Sequence, residues 1–204
     1  MAGNNKKKQL IVFGLDEVGR GCLAGPVMAC AMHEVCPRTS LYEGRPLTLK
    51  DSKKLTEKQR EEVFAFLKGS SQFVFSLGRV GERVIDKINI FEATKLAMER
   101  AVLGLEKKIG KKANLLLLDG NFKIPLKREQ QAIVKGDEKI PLIALASIVA
   151  KVKRDSFMEK QDKNYPQYGF AKHKGYGTKE HLKAILINGP CPLHRHSFYP
   201  LRLN

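Results

Sequence analysis

The chain has 204 residues, 43% of them hydrophobic, enough for a sizeable core in one domain or in one domain with an appendage. Its 37 Lys and Arg against 21 Asp and Glu give a formal charge of +16, which favours a polyanionic partner. No apolar run approaches the roughly 18 residues of a membrane-spanning helix, and residues 1–8 are basic without the apolar stretch of a secretion signal. Cys22, Cys30, Cys36 and Cys191 have no paired spacing, so they read as reduced thiols in a cytosolic protein. Cys191, His194 and His196 are zinc ligand types, but the segment lacks a second ligand pair.

The apolar segment around Gln9 to Leu15 predicts a central strand covered on both faces. Asp16 and Glu17 follow it, then Gly19-Arg20-Gly21, a step that lets the backbone meet a ligand closely. Ala24 to His33 predicts a second strand, and residues 34–50 a loop. Thr56 with Gln59 forms a capping-box pattern before a helix with Val63, Phe64 and Leu67 inward. Phe73 to Leu77 predicts a third strand and Gly81 to Lys87 a short helix. A long helix then starts at Asn89 and runs to about Lys108, before Gly110. Leu115 to Leu118 is a short apolar strand that stops at Asp119. Gln131 to Lys135 is a last strand that stops at Gly136-Asp137. Pro141 to about Gln161 is helical, with Lys151, Lys153 and Arg154 along it. Residues 162–178 mix aromatic, glycine and basic residues, and Thr178 caps a helix to Asn188. The order predicts an α/β fold, a mixed central sheet flanked by helices, with a helical C-terminal extension. The expected division is a basic terminus over 1–8, a core over 9–161 and an extension over 162–204.

Asp16, Glu17, Asp119 and Asp137 share one context: each follows a strand and lies at or near a glycine. In α/β sheets ligands gather where strand ends meet, so neighbouring strands would bring these acids together. Consecutive strand residues point to opposite faces, so Asp16 and Glu17 converge only if the chain bends between them. Carboxylates without histidine suit Mg²⁺ or Mn²⁺ rather than zinc. In a basic chain that set points to two-ion phosphoryl chemistry on nucleic acid. Lys53, Lys54, Lys151, Arg154, Lys172 and Lys174 are candidate phosphate contacts, which fix register without reading sequence. His173 reads equally as a phosphate contact or a structural histidine.

Several blocks resemble, in order, the signatures of the ribonuclease HII family in its bacterial form. They are Asp16 to Val27, Asp51 to Leu55, Asp119 to Asn121, Lys135 to Asp137, Ala146 to Val152 with Arg154-Asp155, Tyr168 to Phe170 through His173 to Tyr176, and Arg195 to Phe198. The resemblance implies an RNase H-like fold and an endonuclease acting on RNA–DNA hybrids and 5′ of single ribonucleotides in duplex DNA. The products would carry a 3′-hydroxyl and a 5′-phosphate. It implies that Asp16, Glu17, Asp119 and Asp137 are the metal-binding catalytic acids, with Mn²⁺ or Mg²⁺ as cofactor and two ions when substrate is bound. By the same resemblance Gly19, Arg20 and Gly21 contact the ribonucleotide's 2′-hydroxyl, Tyr176 packs on the sugar at the RNA–DNA junction, and Asp155 supports them. A cytoplasmic monomer engaged in ribonucleotide and RNA-primer removal is expected. Three positions depart from the family pattern: Cys22, where proline is usual; Ile143-Ala144-Leu145, where a more polar run is common; and His196, where arginine is frequent. Two other readings stay open on sequence: a non-catalytic basic nucleic-acid-binding protein, and a related two-metal nuclease with another substrate.

Overall fold

The computed structural model describes residues 10–35 and 55–201. Five strands form one sheet in the order β3-β2-β1-β4-β5. They are β1 (Val12–Val18), β2 (Val27–Glu34), β3 (Phe73–Val80), β4 (Leu115–Asp119) and β5 (Glu129–Ile133). β1, β2 and β3 are antiparallel neighbours, whereas β1, β4 and β5 run parallel. The sheet is therefore mixed, as expected, and β1 is the hinge between its two halves.

The helices are α1 (Glu57–Gly69), α2 (Glu82–Ile109), α3 (Pro141–Asn164), α4 (Phe170–His173) and α5 (Lys179–Asn188). The α1 capping box is present, with the Gln59 N–H on the Thr56 hydroxyl and the Thr56 N–H on the Gln59 side chain. One face of the sheet carries Phe13, Leu15 and Leu118 against the apolar stripe of α2, including Ala97, Met98 and Leu105. Gly78 makes this closeness possible, because a Cβ there would lie 1.8 Å from the Ala97 carbonyl oxygen. The other face carries Cys30 and Met32 against Leu67 of α1 and Ala146 and Val149 of α3. A third cluster joins Ala24 and Met158 to Tyr168, Phe170, Cys191 and Leu193, fastening residues 165–195 to the end of α3.

Several boundaries differ from the sequence reading. β1 continues to Val18, so Asp16 and Glu17 lie inside the strand, carried on by antiparallel pairing with Ala29 and Cys30. The two helices expected around Asn89 are one element with a break at that residue (φ 65°), and its side chain accepts from the Phe91 and Glu92 N–H groups. β5 lies two residues earlier than expected, at Glu129–Ile133, because parallel pairing to β4 sets its register. Ala24 precedes β2 and instead bridges to His194. Lys53 and Lys54 lie outside the described residues, as do Cys36 and residues 51–52.

Candidate active site

Parallel pairing of β1 with β4 brings their C-terminal ends to one edge. Leu15 pairs with Leu118, so Asp16 and Asp119 follow it side by side. Asp16 lies on the α3 face with Gly14, where a Cβ would collide with Leu142. Glu17 lies on the opposite face, with Phe13 and Leu15, as strand alternation requires. Asp137 comes from a single 3₁₀ turn (Gly136–Glu138) after β5 and is only 3% exposed. That turn is docked on β4: the Gly136 N–H donates to Asp119 Oδ1 at 2.6 Å. Ile143 backs the turn closely, its Cδ1 2.7 Å from where a Gly136 Cβ would stand. The apolar Ile143-Ala144-Leu145 run is thus wholly buried behind the acids.

The acids interact electrically. Burial holds the Asp16 carboxyl well above the usual carboxylate range; the charges of Glu17 and Asp119 push the same way, and the Ser147 side chain opposes them. Burial also raises Glu17, against the nearby Arg20 guanidinium, and Asp119 adds to the rise. Each of three carboxylates accepts from a protein donor: Asp16 Oδ1 from the Glu17 N–H at 2.7 Å, Glu17 Oε1 from Arg20 at 3.3 Å, and Asp119 from Gly136. Among the described residues, no three acid, histidine or cysteine side chains are grouped tightly enough to enclose a metal ion as they stand. Glu17 Oε2 is nevertheless buried with no hydrogen-bond partner. An all-oxygen set of mutually repelling, desolvated carboxylates with such an atom fits a hard divalent cation. Ser147 is a site neighbour that sequence reasoning missed, since a serine in an apolar helix gives no signal of its own.

Beyond β1 the chain turns at Gly19 (φ +91°). A Cβ there would lie 2.2 Å from Arg154 Nε. Arg20 and Gly21 are exposed, and a Cβ on Gly21 would meet nothing within 4 Å. Cys22, one of the departures, is fully buried, whereas Tyr176 is 42% exposed. The Leu23 and Ala24 N–H groups donate to the Gly175 carbonyl, which sets Tyr176 beside the glycine turn. Lys151 lies 5.8 Å from the Tyr176 ring centroid while paired to Asp155 at 3.0 Å.

Other cations stand differently from the sequence expectation. Arg154 does not face solvent: it is 0% exposed, and its guanidinium donates to the carbonyls of Pro26, Lys174 and Ala24 at 2.8–3.0 Å. A charged residue on a helix reads as a surface contact, but its burial depends on loops 20 to 130 residues away. Lys174 is committed to Glu159 and, at 3.6 Å, to Glu57. Lys172 is exposed, 3.8 Å from Glu180. His173 is structural, with Nδ1 accepting from the Gly175 N–H and Nε2 on the Tyr168 carbonyl. His196 is exposed, and its N–H donates to Asp86. Arg195, also 0% exposed, was legible only as part of a block; its contacts to the turn were not.

The ribonuclease HII family model matches residues 13–200. The chain belongs to the ribonuclease HII family. A relative of that name from Acetivibrio thermocellus is 48% identical over 188 residues, 92% of this chain and 69% of its own length. One from Coxiella burnetii is 47% identical over 193 residues, 95% of this chain and 90% of its own. Among solved structures, RNase HII of the PCNA:RNase HII complex from Archaeoglobus fulgidus matches with a TM-score of 0.74 at 27% identity, covering 96% of this chain and 98% of that one. Ribonuclease H2 from Pyrococcus horikoshii OT3 shares the fold, with a TM-score of 0.72 at 24% identity over 95% and 96% of the two chains. Membership makes this protein a hydrolase, an endonuclease of the RNase H type, and decides against the non-catalytic binding protein. No helix of the described residues is long and apolar enough to cross a membrane.

Proposed function

We propose that the enzyme cleaves the RNA strand of RNA–DNA hybrids and cuts 5′ of single ribonucleotides embedded in duplex DNA, leaving a 3′-hydroxyl and a 5′-phosphate. The supporting observation is the shared edge of β1, β4 and β5, where Asp16, Glu17 and Asp119 stand with the Asp137 turn docked on Asp119. Asp16, Glu17, Asp119 and Asp137 would hold Mn²⁺ or Mg²⁺, two ions with substrate bound. The ions supply Lewis acidity, activating water and stabilising the leaving oxygen. The chain's part is positional. Burial strengthens the carboxylates' demand for a cation, and Glu17 Oε2 is an oxygen awaiting one. Gly19, Arg20 and Gly21 meet the 2′-hydroxyl, the group that separates RNA from DNA locally. Tyr176, exposed beside that turn, packs on the junction sugar. Lys151, with Lys53 and Lys54, contributes phosphate contacts, whereas Arg154 and Lys174 serve through the loops they hold.

We read residues 162–204 as an extension that completes the substrate surface, and the enzyme as a cytoplasmic monomer acting in removal of ribonucleotides and RNA primers from DNA. A labelled duplex carrying one ribonucleotide tests the reading. Cleavage on its 5′ side is expected with Mn²⁺ or Mg²⁺ and none with EDTA. Asp137→Asn should bind the duplex normally and cleave at least about a hundredfold more slowly, as loss of a main charge-stabilising group does. Near-parental turnover would reject this assignment of the acids.

A further inference from the structure

The glycine turn is held from beneath by a cation. Arg195 sends Nη1 to the Arg20 carbonyl at 2.9 Å and Nη2 to the Gly19 carbonyl at 2.6 Å. The Gly25 carbonyl accepts from Nη2 at 2.7 Å and from Nε at 2.9 Å. No carboxylate lies within ion-pair distance of Arg195 among the described residues; its charge is directed at peptide oxygens. Burial lowers its pKa to about 10, so it remains a cation at neutral pH. A trans peptide is planar, with C=O and N–H on opposite sides. Pinning the Gly19 and Arg20 carbonyls inward therefore turns the N–H groups of Arg20 and Gly21 outward. Neither has an acceptor among the described residues, and the space over Gly21 is open. Two successive outward N–H groups make a concave receptor for an oxygen atom, and a cation behind them strengthens both donors.

We propose that Arg195 is the positioning residue for ribonucleotide selectivity, holding the turn so that the Arg20 and Gly21 N–H groups face the sugar oxygen of the substrate. This rests on the ribonucleotide reading of the Gly19-Arg20-Gly21 turn. A planar fork with donors in fixed directions spans three carbonyls, which an ammonium cannot do from one point. Arg154 supports the same loop from its other end, at Ala24 and Pro26.

The test is the ratio of affinities for a duplex with one ribonucleotide and its all-DNA counterpart, measured with Mg²⁺ in an Asp137→Asn background. If that background shows no preference, the ribonucleotide reading itself fails. Adding Arg195→Lys should reduce the preference by about tenfold, the worth of one or two hydrogen bonds, while all-DNA affinity changes less than about twofold. A folded Arg195→Lys variant with an intact preference overturns the proposal, and so does an equal loss on both duplexes. A second variant, Gly21→Pro, removes one proposed donor with Arg195 in place. It should reduce the preference by a similar factor, and an undiminished preference overturns the proposal even where Arg195→Lys does not fold.

Discussion

Three arginines, Arg20, Arg154 and Arg195, meet at the loop after β1 and do different work. Arg20 is exposed and salt-bridged to Glu17; the other two are buried under the loop with peptide oxygens as partners. Their burial was not legible in the sequence, because each depends on segments distant in the chain. The placing of Asp16, Glu17, Asp119 and the Asp137 turn near one sheet edge was legible, because acids close to glycine after apolar runs leave a local signature. At Gly19 the positive φ and the 2.2 Å approach to Arg154 exclude a side chain. Gly19→Ala should cost about 1–3 kcal/mol through overpacking and backbone strain. A melting temperature lowered by roughly 3–10 °C is expected, with a loss of cleavage larger than instability explains. An unchanged melting curve would refute that packing.

At the scale of elements, the main helices and the succession of strands along the chain were readable from periodicity and caps. Register was not: β5 and the Asp137 turn were displaced because pairing with β4 outweighs local preference. The link between α5 and the tail was also hidden. His181 Nδ1 donates to the Tyr176 carbonyl, so its Nε2 accepts from His194 Nε2 at 3.1 Å, and His194 Nδ1 accepts from the Cys191 N–H. This relay needs neutral rings, and burial lowers both histidines to about 4. The unfolded chain takes up protons near pH 6.5, before the fold does. Stability is therefore full above that pH and falls as pH drops toward 4. Thermal melts from pH 7.5 to 4 should show this decline, and His181→Gln should flatten it. Equal slopes in parent and variant would exclude the relay as its source.

For the whole molecule, the formal charge of +16 coexists with an acidic centre. The basic surface gathers the phosphate backbone, and the acids act only where it is brought to them. Binding of an all-DNA duplex should weaken steeply with salt, with a log–log slope near −5 if about six phosphates are neutralised. The ratio of ribonucleotide to DNA affinity should barely move, because hydrogen bonds at one sugar release no counterions. A preference that collapses with salt would assign selectivity to charge rather than to the turn.

The bond from Arg195 to the Arg20 carbonyl spans 175 positions. At roughly 5–20 residues per second of synthesis, the turn waits about 10–35 s for its clamp. Only after the first 137 residues does the nascent chain carry all four acids, and it then still lacks Arg195. What it lacks is the clamp on the Gly19 and Arg20 carbonyls. On the proposed role of Arg195, selectivity is thus the last property the growing chain acquires.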